Sequence, residues 1–226
     1  MSTNNKICVC SISTPDMDEL TKITWPNKQD YCQKHGYFGI LQTQTKNYLG
    51  FDKIIFIESL LSTNQYDWIL WLDNDTLFTN FNKKIEEVID ENHDFIICAD
   101  YGGDVNAGVF LIKNSDGGKK YLSHIKQKMY ELSPVNKFLF GEEQTAIQAT
   151  YKEEKFNKII KVIPQKIMNA YPYSGVYGHP NGLNDWLGVN GDWQHGDFII
   201  HIPGFGPDLF HKRLEHFRKY QELVIK

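Results

Sequence analysis

Residues 66–78 have the sequence YDWILWLDNDTLF, in which an apolar run ends abruptly in two carboxylates one residue apart. Trp68 to Leu72 is continuously apolar and lacks the alternation with polar residues that a half-exposed strand shows. This pattern is typical of a strand buried on both faces of an α/β sheet. Ligands bind at the carboxyl ends of strands in open α/β sheets, so we expect Asp73 and Asp75 to lie where chemistry takes place.

The two carboxylates need a partner. At ~4 Å they repel each other by ~4 kcal/mol at an effective dielectric constant near 20, so a fold that clusters them supplies a proton or a cation. We favour a cation. Two other interpretations stay open at this point. Asp-Asn-Asp can be an ordinary turn, and an apolar strand followed by Asp-x-Asp-x-Thr also begins the haloacid-dehalogenase-like phosphatases, where the first Asp is the nucleophile.

Length and composition indicate one soluble globular domain over residues 1–226, because the chain is long enough for one buried α/β core and short for two. A hydrophobic fraction of 41%, a charged fraction of 23% and a net charge of -4 are ordinary, and no long basic run suggests a nucleic-acid partner. No run of 18 apolar residues predicts a membrane span, and no signal-peptide pattern precedes the first strand. We therefore expect a cytoplasmic protein or a soluble catalytic fragment.

The four cysteines contain no C-x-x-C pair, and their apolar surroundings predict reduced core thiols. They do not suggest a disulfide framework or a zinc site.

Strands and helices alternate before the acid pair. Lys6–Ser13 and Phe38–Gln42 read as strands, and Thr24–Tyr37 reads as a helix with Pro26 in its first turn. A second helix is predicted over Phe51–Leu61, and the residues that mark one face of it are Phe51, Ile54, Ile55, Glu58 and Leu61. This order predicts a Rossmann-like α/β domain with a mostly parallel central sheet flanked by helices. Downstream, the predicted elements are helices over Phe81–Glu91, over Ser115–Glu131, from Gly141 and from Phe210, and strands over Asp94–Ala99, Val105–Ile112, Lys158–Ile163 and Asp197–His201.

Several of these strands begin or end in polar or small residues. Ser11 suits a nucleotide contact, although a polar residue at a strand end is an equally good interpretation. Asn106 offers a donor and an acceptor, and the small residues Ala107 and Gly108 let a substrate approach the backbone. The acidic, glycine-containing loop from Asp100 to Asp104 could reach a ligand.

A histidine ends the last predicted strand. A lone His in such a position is most often a core residue. Here His201 follows a strand that points at the same edge as Asp73 and Asp75, and imidazole with carboxylates and water suits a manganese-like ion. Acids before Gln144 can simply complement a helix dipole. The irregular, aromatic-rich segment 169–193 suits sugar rings as well as it suits a core.

Five ordered segments carry a resemblance to a known family. They are Asn27–Tyr37, Trp68–Asp75, Asn106–Ile112, Glu143–Ala146 and Gly196–Gly204. Together they resemble glycosyltransferase family 34, which contains α-galactosyl-, α-mannosyl- and xyloglucan α-xylosyltransferases. The resemblance runs from about Thr24 to Gly204. It implies a GT-A fold, a UDP- or GDP-linked nucleotide sugar as donor, Mn²⁺ or Mg²⁺, a saccharide or glycoconjugate acceptor, and retention of anomeric configuration.

The resemblance also implies roles for individual residues. Asp73 and Asp75 would be the metal-binding D-x-D acids, and His201, the His of H-x-x-G, would complete the protein ligands. Asn74 would lie near the donor ribose, and Gly204 closes the H-x-x-G motif.

Other positions of the same motifs would contact the sugar. Asn106, Ala107 and Gly108 would line the donor sugar, with Asp100 or Asp104 near its hydroxyls. Gln144 would face the reacting anomeric carbon, with Glu143 beside it.

One departure from the family concerns charge. Relatives place a basic residue a few positions after H-x-x-G, whereas this chain has Phe205-Gly206-Pro207 there and bears Lys212 and Arg213 further on. The identity of the cationic partner of the diphosphate is therefore open. Relatives from eukaryotes also carry an N-terminal membrane anchor, so the soluble fragment would be that of a Golgi-type enzyme.

Two rival functions remain. A phosphatase of the haloacid-dehalogenase type needs a downstream acidic pair and carries its D-x-D-x-T on the first strand, whereas here Gly196-Asp197 is followed by His201 and two strands precede the acids. A sugar-binding module without catalysis is favoured only by the missing basic residue.

Overall fold

A computed structural model describes residues 5–47, 49–101, 103–132, 142–172, 184–203 and 210–226. A six-stranded sheet in the order β2-β1-β3-β6-β5-β7 forms its centre, and a two-stranded sheet of β4 and β8 lies apart from it. The strands are β1 (Ile7–Ile12), β2 (Phe38–Gln42), β3 (Trp68–Leu72), β4 (Thr76–Phe78), β5 (Phe95–Ala99), β6 (Val105–Lys113), β7 (Ile160–Ile163) and β8 (Ile199–His201). The helices are α1 (Asp18–His35), α2 (Leu49–Ser62), α3 (Asp116–Leu132), α4 (Glu142–Thr150) and α5 (Phe210–Glu222).

The central sheet is mostly parallel, as the alternation of elements predicts. Strand β1 pairs in parallel with β2 and β3, and β5 pairs in parallel with β7. Strand β6 runs antiparallel between β3 and β5. Because β6 is reversed, its first residues lie at the edge where β3 and β5 end. This reversal places Asn106, Ala107 and Gly108 beside the acid pair.

Strand β3 is buried on both faces, which confirms the prediction from its apolar run. Ile69 and Trp71 belong to the core on the side of helices α2, α3 and α4. Trp68, Leu70 and Leu72 belong to the core on the opposite side, which includes residues of α1, β4 and β8. Burial of each such side chain contributes about 1.5–3 kcal/mol, so the strand that carries the acids is firmly held.

The small sheet and the last helix make a third cluster of buried residues. Leu77, Ile200, Leu214, Phe217 and Tyr220 pack together there. Helix α5 packs against α1 and β4.

Two predicted elements differ in the structure. The helix expected over Phe81–Glu91 is wrong, because only Ile85–Glu87 forms a short 3-10 turn. Phe81 is instead held by the C-terminus, where its N–H donates to Ile225 O. Helix α1 begins at Asp18, six residues before the predicted start, so Pro26 lies inside the helix.

All four cysteines are buried and unpaired, as predicted. Among the described residues, no helix combines the length and the apolar character that crossing a bilayer requires.

Candidate functional site

Two strand pairings bring the predicted metal ligands together. Asp73 follows β3, and its N–H donates to Gly108 O of β6 at 2.8 Å. Strand β4 then pairs antiparallel with β8, so that Thr76 lies opposite His201. The N–H of Ile202 donates to Asp75 O at 2.9 Å, which extends this pairing to the acid loop. The imidazole and both carboxylates therefore meet at one edge of the fold.

Asp73, Asp75 and His201 form a cluster in which one ligand atom from each residue lies within 4.8 Å of the others. His201 is 2% exposed, and its Nε2 lies 3.2 Å from Asp75 Oδ1. Burial lowers the pKa of His201 to about 4, although Asp73 and Asp100 attract the proton. The ring is therefore neutral at pH 7.

The neutral ring leaves a polar atom without a hydrogen bond. His201 Nδ1 lies 2.8 Å from Asn169 Oδ1, so this nitrogen carries the ring hydrogen. Nε2 then bears a lone pair. This atom is buried, receives no hydrogen bond from any residue that the structure describes and faces a carboxylate oxygen of Asp75. A cation fits between these two acceptors, Nε2 of His201 and Oδ1 of Asp75. Two carboxylates and one imidazole are ligands that suit Mn²⁺ or Mg²⁺.

Gly108 makes room for the imidazole. A Cβ at this position would come within 2.2 Å of His201 Cε1 and 2.8 Å of its Nδ1. Real Cβ atoms do not approach that closely, so only glycine lets β6 pass the ring. The small residue predicted to admit a substrate thus admits His201.

A buried lysine of α2 lies behind Asp73. The Lys53 ammonium donates to Asp73 Oδ1 at 3.1 Å, to Glu143 Oε1 at 3.0 Å and to Ala107 O at 2.7 Å, which uses its three hydrogens. Burial alone would lower the pKa of Lys53, but the carboxylates of Asp73 and Glu143 outweigh it and hold that pKa above its ordinary value. Trp71 Nε1 also donates to Asp73 Oδ1, at 2.7 Å.

A second buried cation holds Asp75. The Arg213 guanidinium of α5 pairs with Asp75 Oδ2, and its Nε donates to Ile202 O at 3.1 Å. Arg213 is 4% exposed, and burial lowers its pKa to about 10, so it remains charged at neutral pH. The sequence has no basic residue directly after the H-x-x-G motif, but Arg213 of the last helix reaches the acid pair.

Helix α1 holds the turn between the two acids. The fully buried Lys28 ammonium donates to Asn74 O at 3.2 Å and to Thr76 O at 3.0 Å. The Asn74 side chain accepts from Thr24 Oγ1 at 3.0 Å and donates to Thr21 Oγ1 at 2.8 Å. Asn74 therefore faces α1, and its contact with a ribose stays a prediction.

The residues predicted to line the donor sugar lie next to the metal cluster. Asn106 Oδ1 accepts from Gly108 N at 2.8 Å, and Asn106 Nδ2 lies 3.4 Å from Asp100 Oδ2. Burial raises the pKa of Asp100 above its usual range, although hydrogen bonds from Tyr101 N and Tyr171 Oη oppose the shift.

Asp104 lies one residue before β6. Its carbonyl accepts from Trp186 Nε1 at 2.8 Å and from Asp100 N at 2.7 Å. The loop is thus fixed to an exposed tryptophan of the aromatic-rich segment.

The start of α4 reaches the same edge. Gln144 Oε1 accepts from Ala107 N at 3.1 Å, while Glu143 pairs with Lys53. Helix α2 permits this approach because a Cβ at Gly50 would lie 2.3 Å from Glu143 Oε2. Gln144 therefore contacts β6 directly, and Glu143 is linked to Asp73 through Lys53.

Ser11 and Gly204 are the remaining predicted contacts. Ser11 is fully buried, and its hydroxyl donates to Leu72 O at 2.6 Å, so in this structure it joins β1 to the end of β3. Gly204 lies outside the described residues.

The sequence predicts no role at the site for Lys28, Lys53 or Asn169, and it marks Arg213 only as a basic residue beyond the H-x-x-G motif. Each is at most 4% exposed. Lys53 directly precedes the apolar run Ile54–Ile57 of α2, and a lysine in that position is the one local signal of a buried cation. The other three come from distant segments, and no local pattern marks them.

The family model of the galactosyl transferase GMA12/MNN10 family matches residues 3–93 and 89–207. A probable alpha-1,6-mannosyltransferase, MNN10 of Saccharomyces cerevisiae, is 27% identical over 83% of this chain and 56% of its own length. An uncharacterized alpha-1,2-galactosyltransferase of Schizosaccharomyces pombe is 23% identical over 88% of this chain and 60% of its own length. The chain therefore spans little more than half the length of these relatives.

Solved structures share the fold. A glycosyltransferase involved in glycosylation of the major capsid of PBCV-1 superposes with a TM-score of 0.69 at 21% identity, covering 95% of this chain and 99% of that one. The galactosyltransferase LgtC, in complex with donor and acceptor sugar analogs, gives 0.54 at 12% identity and covers 97% of this chain and 96% of its own. With the family model matching most of its length, this chain belongs to glycosyltransferase family 34, the galactosyl transferase GMA12/MNN10 family.

Proposed function

We propose that this protein is a metal-dependent glycosyltransferase that moves a hexose or pentose from a nucleotide diphosphate sugar to a saccharide or glycoconjugate acceptor. Mn²⁺ or Mg²⁺ would be held by Asp73, Asp75 and His201. One observation carries the proposal: a neutral, buried imidazole directs an unpaired lone pair at a carboxylate of the acid pair. Family membership supports the reaction class.

The chemistry that needs this site is the departure of a diphosphate. A bound divalent cation supplies charge neutralisation for that leaving group, so no protein acid is required. Lys53 and Arg213 hold one oxygen each of Asp73 and Asp75. The two cations thereby orient the carboxylates and offset their mutual repulsion before any ligand binds.

Gln144 is proposed to flank the reacting anomeric carbon. Its Oε1 accepts one hydrogen bond from Ala107 N and retains a second lone pair, because an amide oxygen carries two. Glu143 is proposed to hold this end of α4 beside Asp73 through Lys53. Attack of the acceptor hydroxyl from the face that the leaving group departs would retain the anomeric configuration.

Galactose, mannose and xylose are the proposed donor sugars, linked to UDP or GDP. The relatives include a probable mannosyltransferase and an uncharacterized galactosyltransferase, which supports the hexoses.

A screen of nucleotide sugars tests the proposal. A donor at 100 times its dissociation constant should stabilise the folded chain by ~2.7 kcal/mol, and only with Mn²⁺ or Mg²⁺ present. The stabilising donor should then be hydrolysed slowly and transferred to an acceptor saccharide, and the NMR coupling of the product's anomeric proton should report retention. Inversion would refute that part of the proposal.

Matched variants assign the result to the site. Asp73→Asn and Asp75→Asn should abolish metal-dependent donor hydrolysis, while the exposed Asp30→Asn should leave it unchanged. Binding of a donor without any hydrolysis would indicate a sugar-binding module. Release of phosphate from a phosphomonoester with Mg²⁺, without hydrolysis of any nucleotide sugar, would indicate the phosphatase.

A further inference from the structure

A continuous chain of hydrogen bonds joins Asp100 to His201 through two buried amides. Asn106 Nδ2 lies 3.4 Å from Asp100 Oδ2, and Asn169 Nδ2 donates to Asn106 Oδ1 at 3.1 Å. Asn169 Oδ1 in turn lies 2.8 Å from His201 Nδ1. Asn169 has no exposed surface and Asn106 is 7% exposed, so water does not compete for these contacts.

A backbone group fixes the direction of the chain. The N–H of Gly108 donates to the Asn106 side chain at 2.8 Å, so the atom that faces it must be the oxygen. The Asn106 NH₂ group then points to the Asp100 carboxylate, which only accepts. Asn169 must therefore offer its own NH₂ group to Asn106 and its oxygen to His201. It follows that Nδ1 of His201 carries the hydrogen.

We propose that Asn169 is a positioning residue that sets the tautomer of His201, so that the unprotonated Nε2 faces Asp73 and Asp75. The inference rests on the proposed metal site. Asn169 also bonds Asn106, and it thereby connects His201 to the residues proposed to line the donor sugar.

The opposite tautomer would disturb every link. With the hydrogen on Nε2, a proton would occupy the position next to Asp75 where a metal is proposed. The bare Nδ1 would face Asn169 Oδ1, and turning that amide would bring its oxygen against Asn106 Oδ1. Turning Asn106 as well would leave the buried N–H of Gly108 facing an NH₂ group.

Two substitutions separate positioning from a purely structural role. Asn169→Leu keeps the number and branching of the side-chain heavy atoms and removes the acceptor for His201 Nδ1. Asn169→Asp keeps an acceptor for Nδ1 and removes the donor to Asn106. A merely structural Asn169 would tolerate the apolar leucine better than a buried carboxylate. If Asn169 positions the ring, Asn169→Asp should preserve the tautomer and the metal affinity better than Asn169→Leu does.

The first readout needs no metal. The ¹⁵N shifts of the two ring nitrogens of His201, assigned by their loss in His201→Gln, report the tautomer of the metal-free chain at pH 7.5. We expect the Nδ1–H form in the parent and in Asn169→Asp, and its loss in Asn169→Leu. The second readout is Mn²⁺ affinity by calorimetry, which should fall 10- to 100-fold in Asn169→Leu and less than threefold in Asn169→Asp.

Asn114→Leu is the matched control. Asn114 donates to Tyr66 O at 2.8 Å at the opposite edge of the sheet, so this substitution should leave His201 and Mn²⁺ affinity unchanged. If Asn169→Leu does not fold, Asn169→Ala makes the same test. Retention of the Nδ1–H form in the apolar variant, or an equal loss of affinity in Asn169→Asp, overturns the inference. A parent that shows the Nδ1–H form but binds no metal contradicts the proposed function alone.

Discussion

At the scale of single residues, the site depends on side chains that are satisfied only as a group. Lys53 gives one hydrogen each to Asp73, Glu143 and Ala107, and Gly108 leaves space for the His201 ring. Loss of Lys53 would therefore leave its buried partners unpaired, and a side chain at position 108 would collide with the imidazole. Two substitutions measure this dependence.

Gly108→Ala should displace the imidazole, because the new Cβ would lie 2.2 Å from His201 Cε1. We expect Mn²⁺ affinity to fall at least tenfold in calorimetric titrations. Gly39→Ala in β2 is the control, since its Cβ would meet Cys32 Sγ at an ordinary 3.5 Å. Equal affinities for the two variants would show that the close approach at Gly108 does not matter.

Lys53→Met should lower the free energy of unfolding by about 3–5 kcal/mol, because it leaves the carboxylates of Asp73 and Glu143 without their buried cation. Lys126→Met removes a partly exposed pair with Glu58 and should cost less than about 1 kcal/mol. Chemical denaturation of both variants makes the comparison. A cost for Lys53→Met no larger than that for Lys126→Met would contradict the assigned network.

At the scale of elements, local pattern predicted much of what positions the acids. Strands β2 and β3 have the predicted bounds, and the predicted ligands Asp73, Asp75 and His201 meet because each follows or ends a strand at one edge. The predicted buried face of α2 is wrong at Ile55, which is 39% exposed. Helix α2 buries residues on two sides, so a single stripe could not locate Lys53.

Other errors have a similar cause. The residues of Phe81–Glu91 look helical by composition, but the chain that enters this segment is fixed by backbone hydrogen bonds from residues 79–81 to Phe198 and Ile225. Asn169 and Arg213 lie 96 and 138 residues from Asp73 and Asp75. Tertiary folding alone brings them to the acids, so a sequence without aligned relatives cannot reveal them.

Helix α1 is also docked to strand β4 through a side-chain amide. Asn27 Nδ2 donates to Phe78 O and Asn27 Oδ1 accepts from Phe78 N, both at 2.9 Å. Asn27→Ala leaves both buried backbone groups unpaired and should cost about 2–5 kcal/mol of unfolding free energy. Gln29→Ala on the exposed face of α1 should change it by less than about 0.5 kcal/mol. Similar unfolding free energies for the two variants in denaturant titrations would show that Asn27 does not dock α1 to β4.

At the scale of the whole molecule, two cores, one on each face of the sheet, fix the edge where the site lies. The small β4–β8 sheet adds a third layer that carries His201 to that edge. The site therefore draws on segments spread over most of the chain, and its integrity is coupled to global stability.

This coupling predicts a dependence of stability on pH. The pKa of His201 is about 4 in the folded chain and about 6.5 when unfolded. Between these values the unfolded chain binds the extra proton, so lowering the pH favours unfolding by about 1.4 kcal/mol per pH unit. His201→Gln should remove this part of the slope between pH 6.5 and 4 in metal-free denaturation experiments. An unchanged slope would mean that His201 titrates normally in the fold.

Diffraction from crystals grown with Mn²⁺ and a nucleoside diphosphate would locate the metal itself. We expect one anomalous peak within coordination distance of a carboxylate oxygen of Asp73, one of Asp75, and Nε2 of His201. His201→Gln should weaken or remove the peak, while His124→Gln, which alters a histidine paired with Glu153 instead, should not. A peak at another position, or an imidazole at residue 201 turned away from the acid pair, would contradict this expectation.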